Sequence, residues 1–200
     1  MTVTNDFSSS VVDGAERSLP VAATVADPAP LGLAAFALTT FVLSAANAGW
    51  IPKGADAVMF GLAFGYGGLV QLLAGMWEFR RNNVFGATAF SSYGGFWIAF
   101  ALLVTVYIGK IPPTAVPAAL GMFLLAWGIF TAYMTVAASA TSRPVFIVFA
   151  LLTPTFFVLS IGAWTSSSGW TVIGGYLGLL TAFAAWYASA IGVIAQTKKT

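Results

Sequence analysis

Long stretches of this sequence carry no charge. Between Asp27 and the C-terminal lysines, charge-free windows cover residues 28–52, 57–77, 82–109, 111–142 and 144–197. A helix needs about 20 apolar residues to cross the hydrocarbon of a bilayer. Each window therefore holds at least one crossing. The last is too long for one helix and breaks at Thr165-Ser166-Ser167-Ser168-Gly169, a run of loop formers. The windows predict an all-α polytopic membrane protein, a bundle of six transmembrane helices. Their expected spans are residues 31–50, 57–79, 89–109, 116–140, 144–164 and 170–195.

Only 7% of the residues are charged and 59% are hydrophobic, against about 25% charged in an ordinary soluble domain. A core of this size cannot hide that much apolar surface, so the lipid bilayer must be the solvent. The links between spans are short, which makes neighbouring helices antiparallel and leaves no room for a soluble domain. The expected organisation is a disordered N-terminal tail over 1–26, a transport-sized membrane domain over 27–196 and a short tail over 197–200. The tail lacks the basic start, apolar centre and cleavage site of a signal peptide. With six spans, both tails and the second and fourth links share one side. That side holds Arg17, Arg80, Arg81, Arg143, Lys198 and Lys199, and the other holds Lys53 and Lys110. The bias predicts that both termini are cytoplasmic; the expected location is the cell (inner) membrane, crossed many times.

Several kinds of chemistry are excluded or disfavoured. There is no cysteine and no histidine, which removes disulfides, thiol catalysis, the commonest general base and the commonest transition-metal ligand. No paired carboxylates, nucleophile–base pair or phosphate loop appears, so an enzyme is not expected, nor a metal or cofactor. The net charge of +2 includes no basic stripe for nucleic acid.

Polar residues inside the spans are costly in lipid and so informative. Phe36, Thr40, Ser44 and Asn47 share one face of the first span, at i, i+4, i+8 and i+11. Thr and Ser can be satisfied by bonding back to a carbonyl one turn earlier; Asn47 is harder to dismiss. Gln71 lies inside the second span and needs partners. Glu78, an acid at the end of the second span, is expected to form a local ion pair with Arg80 and Arg81, with proton coupling as the sharper alternative. Gly61, Gly65, Gly68 and Gly75 on the second span, and Gly174 and Gly178 on the sixth, read as close helix packing. Asp27-Pro28-Ala29-Pro30 reads as a helix start, with Pro30 in the first turn and Asp27 as the cap.

Three stretches carry a further signal. Asp27-Pro28-Ala29-Pro30-Leu31-Gly32-Leu33 resembles the N-P-A-P-L-G-L signature of the acetate uptake transporters, the acetate/succinate permeases. Gln71-Leu72-Leu73-Ala74-Gly75-Met76-Trp77-Glu78 and Asn83-Val84-Phe85-Gly86-Ala87-Thr88-Ala89-Phe90-Ser91-Ser92-Tyr93-Gly94-Gly95-Phe96-Trp97 resemble the same family. The resemblance spans residues 27–195 and implies a homohexamer with a separate pathway through each protomer. It implies small monocarboxylates as substrates, chiefly acetate, with succinate in some members. It also implies a hydrophobic constriction of Phe36, Tyr93 and Leu152. The helix-entrance motif is then Asp27, Pro28, Pro30 and Gly32, with Asp27 standing where the family usually has Asn.

The expected function is a transporter or channel for small carboxylates. The solute follows the polar face of the first span, borrows donors from Thr40, Ser44, Asn47, Gln71 and Tyr93, and squeezes past the ring. The rivals are a membrane protein with a structural or sensory role that transports nothing, and an intramembrane enzyme.

Overall fold

The structure, a computed structural model, describes residues 25–52 and 54–198. Residues 1–24, and with them Arg17 and most of the expected disordered tail, lie outside the described residues, as do Lys53, Lys199 and Thr200. Among the described residues, six helices are long and apolar enough to cross a membrane: α1 (Ala29–Asn47), α2 (Ala55–Arg80), α3 (Val84–Lys110), α4 (Pro113–Ala138), α5 (Arg143–Thr165) and α6 (Ser168–Thr197).

Local chemistry sets most of their ends. Pro30 sits in the first turn of α1, where its missing N–H costs nothing. Gly49 and Gly54 take positive φ in the turn between α1 and α2, a backbone shape that side chains oppose. The sequence placed the start of α3 at residue 89, yet it begins at Val84. Asn83 explains the difference, because its side-chain oxygen accepts from Gly86 N–H at 3.1 Å and caps the helix. Over Gly65–Val70 the hydrogen bonds of α2 widen to a π-type turn, and α3 does the same over Leu103–Tyr107.

The helices close a ring. The most extensive contacts join α1 to α6, α6 to α5, α5 to α4, and α2 to α3. Hydrogen bonds pin several pairs: Ser189 on α6 donates to the Pro30 carbonyl at 2.6 Å, and Ser160 on α5 donates to the Gly121 carbonyl on α4 at 2.7 Å. Thr135 and Thr153 join α4 to α5 at 2.7 Å, next to Pro154, which removes one backbone donor inside α5.

Side-chain size decides the spacing. A Cβ on Gly94 would come within 2.7 Å of the Leu72 nitrogen, and one on Gly178 would overlap Ser44. Glycine thus lets α3 approach α2, and α6 approach α1. Between α3 and α4 the contact is aromatic instead, with Phe96 and Trp127 centroids 5.1 Å apart and Tyr93 and Phe130 5.5 Å apart. The packing reading holds for Gly68, Gly75, Gly174 and Gly178. It fails within this chain for Gly61 and Gly65, which are exposed with open space beside them.

Candidate functional site

Four cavities lie in sequence through the middle of the helix ring, each sharing lining residues with the next. At the side that carries the helix ends near Asp27 and Ser142, a mouth of about 370 Å³ is lined by Asp27, Pro30, Leu33 and Val145. Leu33 also lines a small cavity of about 20 Å³ with Phe36, Gln71, Tyr93, Phe149 and Leu152. Phe36 and Leu152 in turn line a central cavity of about 130 Å³ with Thr40, Ser44, Asn47 and Trp97. Asn47 and Thr171 lead from there to a mouth of about 640 Å³ on the opposite side. The small cavity holds little more than one water, since one needs about 10–15 Å³. The smallest of the four is therefore the one that Phe36, Tyr93 and Leu152 line.

The structure brings these three residues together from α1, α3 and α5. Each is almost fully buried, and the Phe36 and Tyr93 rings lie 5.7 Å apart. The expectation that Tyr93 donates to a solute needs correction. Its hydroxyl lies 2.9 Å from Thr131 Oγ1, and the Thr131 hydroxyl donates to the Trp127 carbonyl at 2.7 Å. Threonine has one hydroxyl proton, so Tyr93 must supply the proton between them. Its ring faces Phe36 while its hydroxyl is tied to α4.

Along α1 the polar face divides in an informative way. Thr39 bonds back to the Ala35 carbonyl at 3.0 Å. Thr40 does not: its Oγ1 is buried, has no protein partner and lines the central cavity. Ser44 and Asn47 line the same cavity further along. Opposite them is Trp97, buried on α3, whose indole Nε1 also lacks a partner. Sequence reasoning missed Trp97. The available signal was its position in mid-span, since Trp in membrane helices favours the interfaces. In the small cavity itself, Gln71 is buried with Oε1 unpartnered. An amide offers both donors and acceptors. Thr40 and Trp97 in the central cavity and Gln71 in the small one therefore hold unused hydrogen-bonding capacity along the line of cavities.

The charged residues cluster at the Asp27 end. Arg81 Nη1 lies 2.7 Å from Asp27 Oδ1, and the same oxygen accepts from Ala29 N–H at 3.1 Å. Pro28, not Asp27, holds the N-cap position of α1; Asp27, one residue earlier, accepts from the first helical N–H and also ties α1 to the link between α2 and α3. The expected pairing of Glu78 with Arg80 and Arg81 is not formed. Arg80 is two positions on and points to the opposite helix face, and Arg81 is engaged by Asp27. Glu78 is fully buried. Its Oε2 accepts from Asn83 Nδ2 at 2.9 Å, and its Oε1 has no partner.

Comparison with known proteins finds relatives several of which are named for transport. The pattern of the GPR1/FUN34/yaaH family matches residues 14–200. Acetate permease A of Emericella nidulans is 46% identical over 184 residues, covering 84% of this chain and 61% of the permease. The chain thus spans about three fifths of the length of the fungal relatives it matches, 61% in each of three. The succinate-acetate/proton symporter SatP of Escherichia coli is 36% identical over 165 residues, covering 82% of this chain and 86% of the symporter. The solved structure of the bacterial acetate channel SatP superposes with a TM-score of 0.81 at 32% identity, covering 87% of this chain and 95% of that one.

Proposed function

Because this chain belongs to the GPR1/FUN34/yaaH family, we propose that it carries small monocarboxylates, chiefly acetate, across a membrane through its own six-helix ring. The observation that carries the reading is the line of four cavities pinched between Phe36 and Leu152. A membrane protein that moved nothing would gain nothing by leaving Thr40 and Trp97 unpaired in a cavity, since each such group costs about 1–3 kcal/mol.

The chemistry suits a small carboxylate. Thr40 Oγ1 and Trp97 Nε1 offer two neutral donors in the central cavity, so a carboxylate is held without a fixed cation and can leave again. Its methyl end meets Phe36, Leu152 and Phe156. The pinch is apolar, so a bare anion loses its hydration there at high cost. Phe36, Tyr93 and Leu152 form the constriction in this reading. Thr40, Ser44, Asn47, Trp97 and Gln71 form the polar path on either side of it. Succinate is the second substrate to test, because a relative is named for it.

Both termini are cytoplasmic in this reading, in a cell or inner membrane. Among the described residues Arg80, Arg81, Arg143 and Lys198 share one side against Lys110 on the other. The outward glycines Gly61 and Gly65 on α2 leave room for a neighbouring copy to approach, which suits assembly as a homohexamer.

The test is labelled-acetate exchange at neutral pH in liposomes holding the purified protein. Uptake should be protein-dependent, saturable and competed by unlabelled acetate. Uptake equal to that of protein-free vesicles would sink the proposal.

A further inference from the structure

Among the described residues, three buried polar side-chain atoms stand without partners outside the central cavity, and they lie along one seam. They are Gln71 Oε1, Ser91 Oγ and Glu78 Oε1. Gln71, Gly75 and Glu78 fall at i, i+4 and i+7, on a single face of α2. A Cβ on Gly75 would overlap Ser91 Oγ, so the Ser91 hydroxyl from α3 lies over α2 between Gln71 and Glu78. A rise of 1.5 Å per residue separates Gln71 from Glu78 by about 10 Å along the axis. Ser91 divides that gap into two steps of about 5 Å, each the length that one bridging water spans at hydrogen-bond distances. Buried polar groups are nearly always paired, so three exceptions in one row need a cause.

The ends of the row differ. At one end Gln71 lines the small cavity beside the pinch. At the other, Glu78 adjoins Asn83, which is exposed at the membrane face. The charged groups that act on Glu78 are Asp27, from the start of α1, and Arg81, from the end of α2; the two are paired with each other. From α3 it meets Gly86, which brings no charge.

We infer that the α2–α3 seam of Glu78, Ser91 and Gln71 is a proton route separate from the solute path, joining the small cavity to the membrane face near Asn83. The inference rests on the carboxylate-transport reading and deepens it. An apolar pinch passes the neutral acid more readily than the anion, so acetate in the central cavity takes a proton from hydronium entering by the mouth at Asn47 and crosses as acetic acid. Once acetic acid reaches the small cavity, its O–H bond breaks and the proton moves through water and the Ser91 hydroxyl to the Glu78 carboxylate. The products are acetate and a protonated Glu78. Acetate leaves by the mouth at Asp27, and Glu78 then releases its proton to water beside Asn83. Run backwards, the same steps load a proton onto outgoing acetate. Gln71 orients the water at the junction; it does not itself titrate.

The test uses purified full-length protein in liposomes under a potassium–valinomycin clamp. Wild-type acetate entry should be insensitive to an inside-positive potential, because no net charge moves. Glu78→Gln should lower the maximal rate about tenfold or more and flatten its pH dependence, with the half-saturating acetate concentration unchanged. Glu78→Asp should recover part of the rate. Ser91→Ala removes one hydroxyl and should lower the maximal rate with half-saturation unchanged; it decides the matter even if Glu78→Gln does not fold. Three results overturn the inference: acetate driven in by the potential, wild-type rates and pH profile in Glu78→Gln, or a wild-type rate in Ser91→Ala. Absence of any protein-dependent acetate uptake by the wild type would instead sink the transport reading itself.

Discussion

Replacing Thr40 with valine separates a solute-binding hydroxyl from a packing residue. Valine keeps the shape of threonine and removes only its hydrogen-bonding group. In the empty protein Thr40 Oγ1 is buried and has no protein partner. A buried hydroxyl without a partner costs about 1–3 kcal/mol, and the central cavity of about 130 Å³ is large enough to hydrate it in part. Thr40→Val should therefore stabilise the empty protein, by about 1 kcal/mol at the low end of that range. Its effect on acetate should have the opposite sign. A hydrogen bond to a charged group contributes about 1.5–3 kcal/mol, and about 1.4 kcal/mol is tenfold in affinity. Half-saturation should rise at least about tenfold. The neighbouring Thr39 serves as the control. Its hydroxyl bonds to the Ala35 carbonyl, so Thr39→Val should leave half-saturation alone. Thermal unfolding in detergent and acetate exchange in liposomes measure the two quantities on one preparation. A Thr40→Val protein that is less stable and has unchanged half-saturation would refute the reasoning, because Thr40 would then be ordinary packing.

Other perturbations probe the rest of the path. Leu152→Ala should admit larger acids such as butyrate, read as the ratio of butyrate to acetate rates. Its stability cost should fall near about 2 kcal/mol, the low end for a buried leucine, because Leu152 already borders two cavities. Asp27→Asn keeps an accepting oxygen and loses the ion pair with Arg81, whose side chains are 33% and 26% exposed. It should lower stability by less than about 1 kcal/mol in thermal unfolding and leave acetate exchange intact. Single cysteines report topology cleanly because the chain has none of its own. In intact cells Ser167→Cys should react with an impermeant thiol reagent and Lys198→Cys should not; the reverse pattern would invert the orientation.

Two kinds of information separate in this chain. Crossing a membrane is a local property: charge-free windows, their lengths and the loop formers at Ser166–Gly169 mark six spans without any knowledge of partners. The Asp27 acceptor before α1 and the shared face of Thr40, Ser44 and Asn47 are local too, because a helix repeats every few residues. Polar satisfaction is not local. Tyr93 spends its proton on Thr131, 38 positions away, and Asp27 takes Arg81 from a different helix end. Both partners are set by how the ring of helices closes, so periodicity could show neither the turned hydroxyl of Tyr93 nor the stranded carboxyl of Glu78. Trp97 reads in the sequence as one more apolar residue, and only the packing of α3 across from α1 leaves its N–H unpaired beside Thr40. The sequence determined where the chain crosses lipid, because hydropathy acts along the chain. The tertiary structure decided which polar atoms remain free inside it, because a hydrogen bond acts between whichever groups the fold brings within about 3 Å.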